Sequence, residues 1–288
     1  MSEPCPACGT PNPENALLCS LCSHVLRRVT PAAPAPVRKR WMEPVFQEKS
    51  GRYHLSVGLL LAGLFSLPFF LFKSIGWFFE SLVHEMGHTL VSYALGSIAL
   101  PALRLDGHAA TVHLEPSPGL QIVVWLLLAL GAGWFWLQRQ RPLLITLGVC
   151  VAGYPFLAFT GAQEWLFLIG GHGGELVIAT IFLWRSLIPS HKVLPEERTL
   201  YAALGWYLWI QNLIMNWNLI HSEESRAWYA EHGSFGLEND WIRLADTLGW
   251  SLEGTATVML IAFLLAPPAG LLWARWSILH PPIEKSDL

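Results

Sequence analysis

Residues 79–91 read FESLVHEMGHTLV and sit in an apolar stretch that runs from about 75 to 96. A stretch of that length crosses a bilayer as a helix of roughly 20 residues. Three ionisable side chains, His84, Glu85 and His88, interrupt it. Each costs about 3 kcal/mol at the centre of a membrane helix, so groups placed there mark function. A spacing of four puts His84 and His88 on one helical face, where both imidazoles can hold one zinc ion. Glu85 then stands beside the open coordination position, able to take a proton from the water that the metal activates and return it to a leaving amine. Gly87 lacks a side chain, so a second helix or a substrate strand can come close. The plainer alternative is a polar seam that joins helices without any metal.

Composition places this stretch in a membrane protein. Hydrophobic residues reach 53% and charged residues only 14%, against roughly a quarter charged in soluble chains. Fifteen tryptophans suit bilayer interfaces. A net charge of −3 gives no basis for nucleic-acid binding, and none is expected. Apolar stretches near 54–73, 75–96, 119–138, 142–161, 163–187, 199–220 and 248–276 predict an all-α polytopic membrane protein of six or seven transmembrane helices. Pro267-Pro268 is expected to kink the last of them or end it early. No signal-peptide pattern precedes the first stretch, so the tail is expected to stay attached. Arg38-Lys39-Arg40 beside that stretch predicts a cytoplasmic tail. Arg139, Arg141, Arg185, Lys192 and Arg198 also favour the inside, which seven full crossings cannot satisfy. One stretch that enters and returns without crossing would reconcile them.

Two polar interruptions divide the apolar body. Residues 99–117 alternate weakly around Asp106-Gly107, a turn signal that predicts a short β-hairpin after the second helix. Residues 221–247 form a polar loop, with an amphipathic helix at 240–248 predicted to lie on the membrane surface. In the fifth stretch, Gly170-Gly171-His172-Gly173-Gly174-Glu175 puts His172 and Glu175 three apart on one face, with glycines that admit a neighbouring helix. One of the two is expected as a third metal ligand, His172 being the first choice, with the other orienting it. The alternative is a glycine-rich crossing with incidental polar groups. His108, His113, His221, His232, Glu223 and Glu224 are read as solvated loop residues, and Gln163, Glu164, Asn212, Asn216 and Asn218 as helix–helix hydrogen-bonding groups.

The chain resembles the site-2-protease family of intramembrane zinc metalloproteases through His84, Glu85, Gly87 and His88 in a membrane helix followed at once by a hairpin, over roughly residues 75–117. The resemblance implies metal ligation by His84 and His88, catalysis by Glu85, and cleavage of peptide bonds in or near the membrane. That family takes its third ligand from a Leu-Asp-Gly motif on a later helix. Leu105-Asp106-Gly107 lies instead in the hairpin, so Asp106 is read first as a turn residue, with metal ligation as the lesser alternative.

Four of the five cysteines fall in two pairs, Cys5-Pro6-Ala7-Cys8 and Cys19-Ser20-Leu21-Cys22. Each pair can aim two thiolates at one ion, and two pairs close a tetrahedral structural zinc site with no open position. A segment this short cannot build a core without such an ion. It resembles the short zinc ribbons of many bacterial proteins, sharing Cys-Pro-x-Cys-Gly and the Asn12-Pro13 turn, but with Ser23 where glycine is usual. Disulfides or redox dithiols are the alternatives, disfavoured in a reducing compartment. Cys150, alone in an apolar run, is read as a core or lipid-facing residue.

The predicted organisation is a zinc ribbon at 1–29, a Pro/Ala-rich basic linker at 30–50, and a multi-pass metalloprotease-like domain at 51–280. The expected function is an intramembrane zinc metalloprotease, with one catalytic and one structural zinc. Its expected setting is the cell membrane of a bacterium, its substrate a membrane protein or peptide, with a protein partner met through the ribbon. A membrane metal-ion transporter or sensor, or a non-catalytic scaffold derived from a protease, would use the same residues differently.

Overall fold

The computed structural model describes residues 3–12, 18–24, 49–67, 69–103, 109–188, 194–232 and 238–279. The chain divides into two compact units, Met1–Trp41 and Met42–Leu288. In the first, strand β1 (Glu3–Pro4) pairs antiparallel with β2 (Pro11–Asn12). Most of the linker predicted at 30–50 lies outside the described residues, and its last two residues open the first helix.

The second unit is a helical body. Helix α1 (Lys49–Phe65) is followed by α2 (Phe70–Ala94) and by a hairpin of β3 (Ala99–Leu103) and β4 (Ala109–His113). Then come α3 (Pro118–Leu137), α4 (Arg141–Phe159), α5 (Ala162–Leu187), α6 (Pro195–His221), the short α7 (Glu223–Glu231) and α8 (Asp240–Leu248), and α9 (Leu252–Leu279). The hairpin pairs Ala99 with His113 through to Leu103 with Ala109. Asp106 and His108 lie outside the described residues.

Three of these helices, α3, α5 and α9, are long and apolar enough to cross a membrane, and α4 holds a shorter apolar segment. The remaining apolar stretches fall short for physical reasons. Helix α2 carries Lys73, Glu80, His84, Glu85 and His88, while α6 opens on Glu196, Glu197 and Arg198 and carries Gln211, Asn212 and Asn216. The first stretch is also not one helix to residue 73. Helix α1 ends at Phe65 and α2 begins at Phe70, bracketing a proline that has no N–H to donate. Pro267-Pro268 does not end the last helix, which continues to Leu279.

Helix α5 is the axis of the body, packed against α2, α6 and α9. Only 6% of the apolar window of α3 is buried, against 39% of that of α5, so α3 turns its Leu and Trp side chains outward. One core cluster joins Leu168, Leu219, Trp241, Leu244, Ala256, Met259 and Phe263 from α5, α6, α8 and α9. Helix α8 matches the amphipathic segment predicted at 240–248, but its apolar face is covered by protein. Trp241 is 0% exposed, and Leu244 and Ala245 are buried beside it. An indole of that size buries roughly 200 Å², about 5 kcal/mol of apolar transfer as an upper figure. Gly249, at φ +67°, ends α8 in the left-handed cap that glycine adopts without strain.

Candidate metal centres

Helices α2 and α5 cross where neither has bulk. A Cβ on Gly87 would collide with the Gly170 carbonyl, and one on Gly174 would lie 2.7 Å from the Gly87 Cα. A Cβ on Gly171 would overlap the rings of both His84 and His88. This closeness sets the histidines against the backbone of α5. His88 Nδ1 lies 2.8 Å from the Phe167 carbonyl oxygen. A carbonyl oxygen only accepts, so this nitrogen carries the hydrogen. His84 Nδ1 lies 3.3 Å from Glu175 Oε1 and is likewise the protonated nitrogen.

Both Nε2 atoms are thereby left with lone pairs, and they face each other at 3.1 Å. Asp240 Oδ2 closes the triangle, 3.0 Å from His84 Nε2 and 2.9 Å from His88 Nε2. Three electron-rich atoms meeting within hydrogen-bond distance repel unless a cation joins them. Donors on a tetrahedral ion with bonds of about 2.0 Å stand roughly 3.3 Å apart, close to the spacing here. His84, His88 and Asp240 could therefore hold one metal ion.

His172 and Glu175 lie one shell out from this triangle. Together with His84 they form a second group of metal-capable donors. Glu175 Oε2 takes hydrogen bonds from His172 Nδ1 and from Asn212 Nδ2, both at 2.8 Å, while Oε1 faces His84 Nδ1. Glu175 thus stands where an orienting carboxylate stands, on the side of His84 away from Asp240. The His172 ring stacks on Trp241 at 4.4 Å and meets His84 edge-on at 4.5 Å. The carboxylate that touches both Nε2 atoms is that of Asp240, which the sequence reading did not single out. Its only advance sign was an acid at the first position of an amphipathic helix, next to a tryptophan. Asn212 is expected from the sequence to join helices by hydrogen bonding. It is 1% exposed and makes such a bond, but to Glu175, as part of the site.

Glu85, 6% exposed, faces the hairpin, and the Thr111 hydroxyl donates to its Oε2 at 2.7 Å. A cleft of 350 Å³ opens here, bounded by Trp77, Thr111, Phe167, Met215 and Tyr229 beside the ionisable groups. His113, read as a solvated loop residue, instead lines this cleft, its ring 4.1 Å from Phe167. His221 and His232 are exposed and stack on Trp217 and Trp228.

In the N-terminal unit the four thiols are free and converge, with Cys5 and Cys22 sulfurs 3.7 Å apart and Cys8 and Cys19 sulfurs 3.6 Å apart. Sulfurs on a tetrahedral ion with bonds of about 2.3 Å stand roughly 3.8 Å apart, so the cluster could hold a metal. The two knuckles repeat one backbone design. The Gly9 N–H donates to the Cys5 carbonyl at 2.8 Å and the Ser23 N–H to the Cys19 carbonyl at 3.0 Å. Gly9 has φ +75°, and Ser23 takes the same left-handed turn at φ +56° despite its Cβ. Asn12, buried, ties them together by donating to the Thr10 carbonyl and the Cys19 sulfur and accepting from the Ser20 N–H. Comparisons of this chain with protein-family models, with curated proteins and with solved structures find no match.

Proposed function

We propose that this protein is an intramembrane zinc metalloprotease of the site-2-protease kind, with His84, His88 and Asp240 as ligands and Glu85 as general base. The observation that carries the reading is the pair of tied Nδ1 atoms, which leaves two imidazole lone pairs and one carboxylate oxygen converging within 3.1 Å. Two imidazoles and a carboxylate are a donor set that zinc accepts in hydrolases. When bound, zinc supplies Lewis-acid polarisation of a carbonyl and a nucleophile at neutral pH.

The chain's own groups do the rest. The Phe167 carbonyl and the Glu175 carboxylate fix the tautomers of His88 and His84, so that both Nε2 atoms are ready as ligands. Glu85 accepts a proton during attack on the peptide carbonyl and delivers it to the departing nitrogen. Thr111 holds one oxygen of that carboxylate, which steadies it and leaves the other to work. A substrate segment unwinds into the cleft beside His84 and His88. Helices α1, α2, α4 and α6, whose polar groups are shielded by protein, join the three apolar ones in a body of seven spans, or six if one enters and returns without crossing, in a bacterial cell membrane, with the tail held in the cytoplasm by Arg38–Arg40. Cys5, Cys8, Cys19 and Cys22 hold a structural zinc that offers a partner-binding surface.

The test uses purified protein in liposomes with membrane-spanning fluorogenic peptides. Glu85→Gln should keep its metal while cleavage falls by about 10²- to 10⁴-fold. Asp240→Asn should lose the metal of the helical unit. Wild-type cleavage rates in Glu85→Gln would sink the mechanism, and metal-ion flux that survives this substitution would point to a transporter.

A further inference from the structure

Arg243 lies one turn beyond Asp240 on α8 and lines the same cleft, half-buried. Its neighbours in kind are occupied. The Arg226 guanidinium donates to the Leu219 and Ile220 carbonyls and pairs with Glu253 at 3.2 Å, and Arg198 donates to the Ser186 and Leu187 carbonyls. The Arg243 guanidinium makes no hydrogen bond or ion pair with any described residue. That absence persists in a cleft whose lining includes Glu80, Glu85, Glu175, Glu238 and Asp240. A half-buried cation with five donors, left unpaired among carboxylates, is a group held for a ligand.

We propose that Arg243 is a specificity residue that receives a carboxylate of the peptide substrate. This inference rests on the metalloprotease reading of the same cleft. A guanidinium takes a carboxylate through two parallel N–H···O bonds, which fixes its direction as well as its charge. Residues three apart on a helix have Cβ atoms about 5–6 Å apart, and an extended peptide advances roughly 3.4 Å per residue. The bound carboxylate therefore sits within one or two residues of the bond at the metal. It is either the C-terminal carboxylate of a chain being trimmed or an acidic side chain flanking the cleaved bond. Either source gives the protein a preference that an apolar transmembrane segment alone does not meet.

Calorimetry on the zinc-loaded full-length protein in phosphatidylcholine nanodiscs tests this with three peptidyl hydroxamates. One ends in a free carboxylate, one in an amide, and one in an amide with a glutamate side chain. Wild type should bind one of the two carboxylates roughly ten- to a hundredfold more tightly than the plain amide. The preferred arm identifies the source. Arg243→Gln should abolish the preference while leaving the plain amide within about twofold, and Arg243→Lys should restore part of it. Equal binding of all three to wild type, or a preference that survives Arg243→Gln, overturns the assignment while the metal centre stands. Hydroxamates that do not bind, or that bind His84→Ala equally well, overturn the metal centre and this inference together.

Discussion

Two of the metal-capable clusters among the described residues, the four cysteines and the His84–His88–Asp240 triangle, are built in opposite ways. The cysteine cluster gathers its four donors from residues 5–22, in two knuckles with the same backbone hydrogen bonds. The histidine–aspartate cluster brings together His84 and Asp240, 156 residues apart, from an apolar helix and a short helix in a polar segment. The first is complete in itself, with four sulfurs and no open position. The second keeps three donors, a nearby carboxylate in Glu85 and a cleft. A site whose donors are close in sequence needs only local turns, whereas a site with a working face needs a fold to bring its parts together.

The sharpest way to break that contrast is metal analysis. Wild type should carry two zinc ions per chain, one per cluster. His84→Ala should lose only the one in the helical body and Cys5→Ser only the one in the tail, because removing a ligand from a buried set costs at least a factor of ten in affinity. Loss of both ions in either variant would mean that the clusters are not independent.

A smaller effect tests how the second cluster is assembled. Gly171→Ala puts a methyl group into the space of the His84 and His88 rings, whereas Gly133 on α3 has nothing within 4 Å of its Cβ position. Overpacking of this kind costs about 1–3 kcal/mol, while an exposed glycine-to-alanine change inside a helix gains up to about 1 kcal/mol. Gly171→Ala should therefore lower both metal content and unfolding midpoint in detergent, and Gly133→Ala should leave metal content alone and raise the midpoint slightly. Full metal content in Gly171→Ala would show that the crossing is not tight.

The same contrast explains how far the molecule was legible in its sequence. The cysteine pairs and the His84–His88 pair could be read because their donors recur at fixed short spacings. Helices α3, α4, α5 and α9 could be read because their apolar runs are long, although the break between α1 and α2 falls earlier than the runs suggest and α9 does not end at Pro267-Pro268. Asp240 was beyond such reading. It stands in a polar stretch, and only the burial of Trp241 and Leu244 against α5, α6 and α9 turns it toward the histidines. The amphipathic pattern of α8 identified a helix with one apolar face but not whether lipid or protein covers that face. His172 and Glu175 drew attention as chemistry on a glycine-rich helix, and they stand beside His84. The sequence could not say that Glu175 would meet Nδ1 instead of Nε2.

Protons give the finest distinction between the clusters. In the tail, the backbone N–H groups of Cys22 and Leu21 bring the Cys19 thiol down to about 6. The His24 N–H pulls Cys22 down as well, but the neighbouring thiols, Cys8 first, outweigh it and push Cys22 up to about 12. A depressed thiol stabilises the folded tail fully above its ordinary value near 9, and that contribution is lost as pH falls through about 6. The metal-free tail should thus loosen as pH falls from 9 to 6. Proton release on zinc binding follows from the same ionisations, since a thiol that is already a thiolate gives up nothing. In His84→Ala, where only the tail takes metal, fewer than four protons should be released at pH 7, because Cys19 is already largely ionised there. Near pH 5 Cys19 is protonated before zinc arrives, so the release should rise. Calorimetry in buffers of different ionisation enthalpy counts those protons. Release that does not change between the two pH values would mean that the knuckle N–H groups do not hold Cys19 as a thiolate, and the parallel between the two knuckles would lose its chemical consequence.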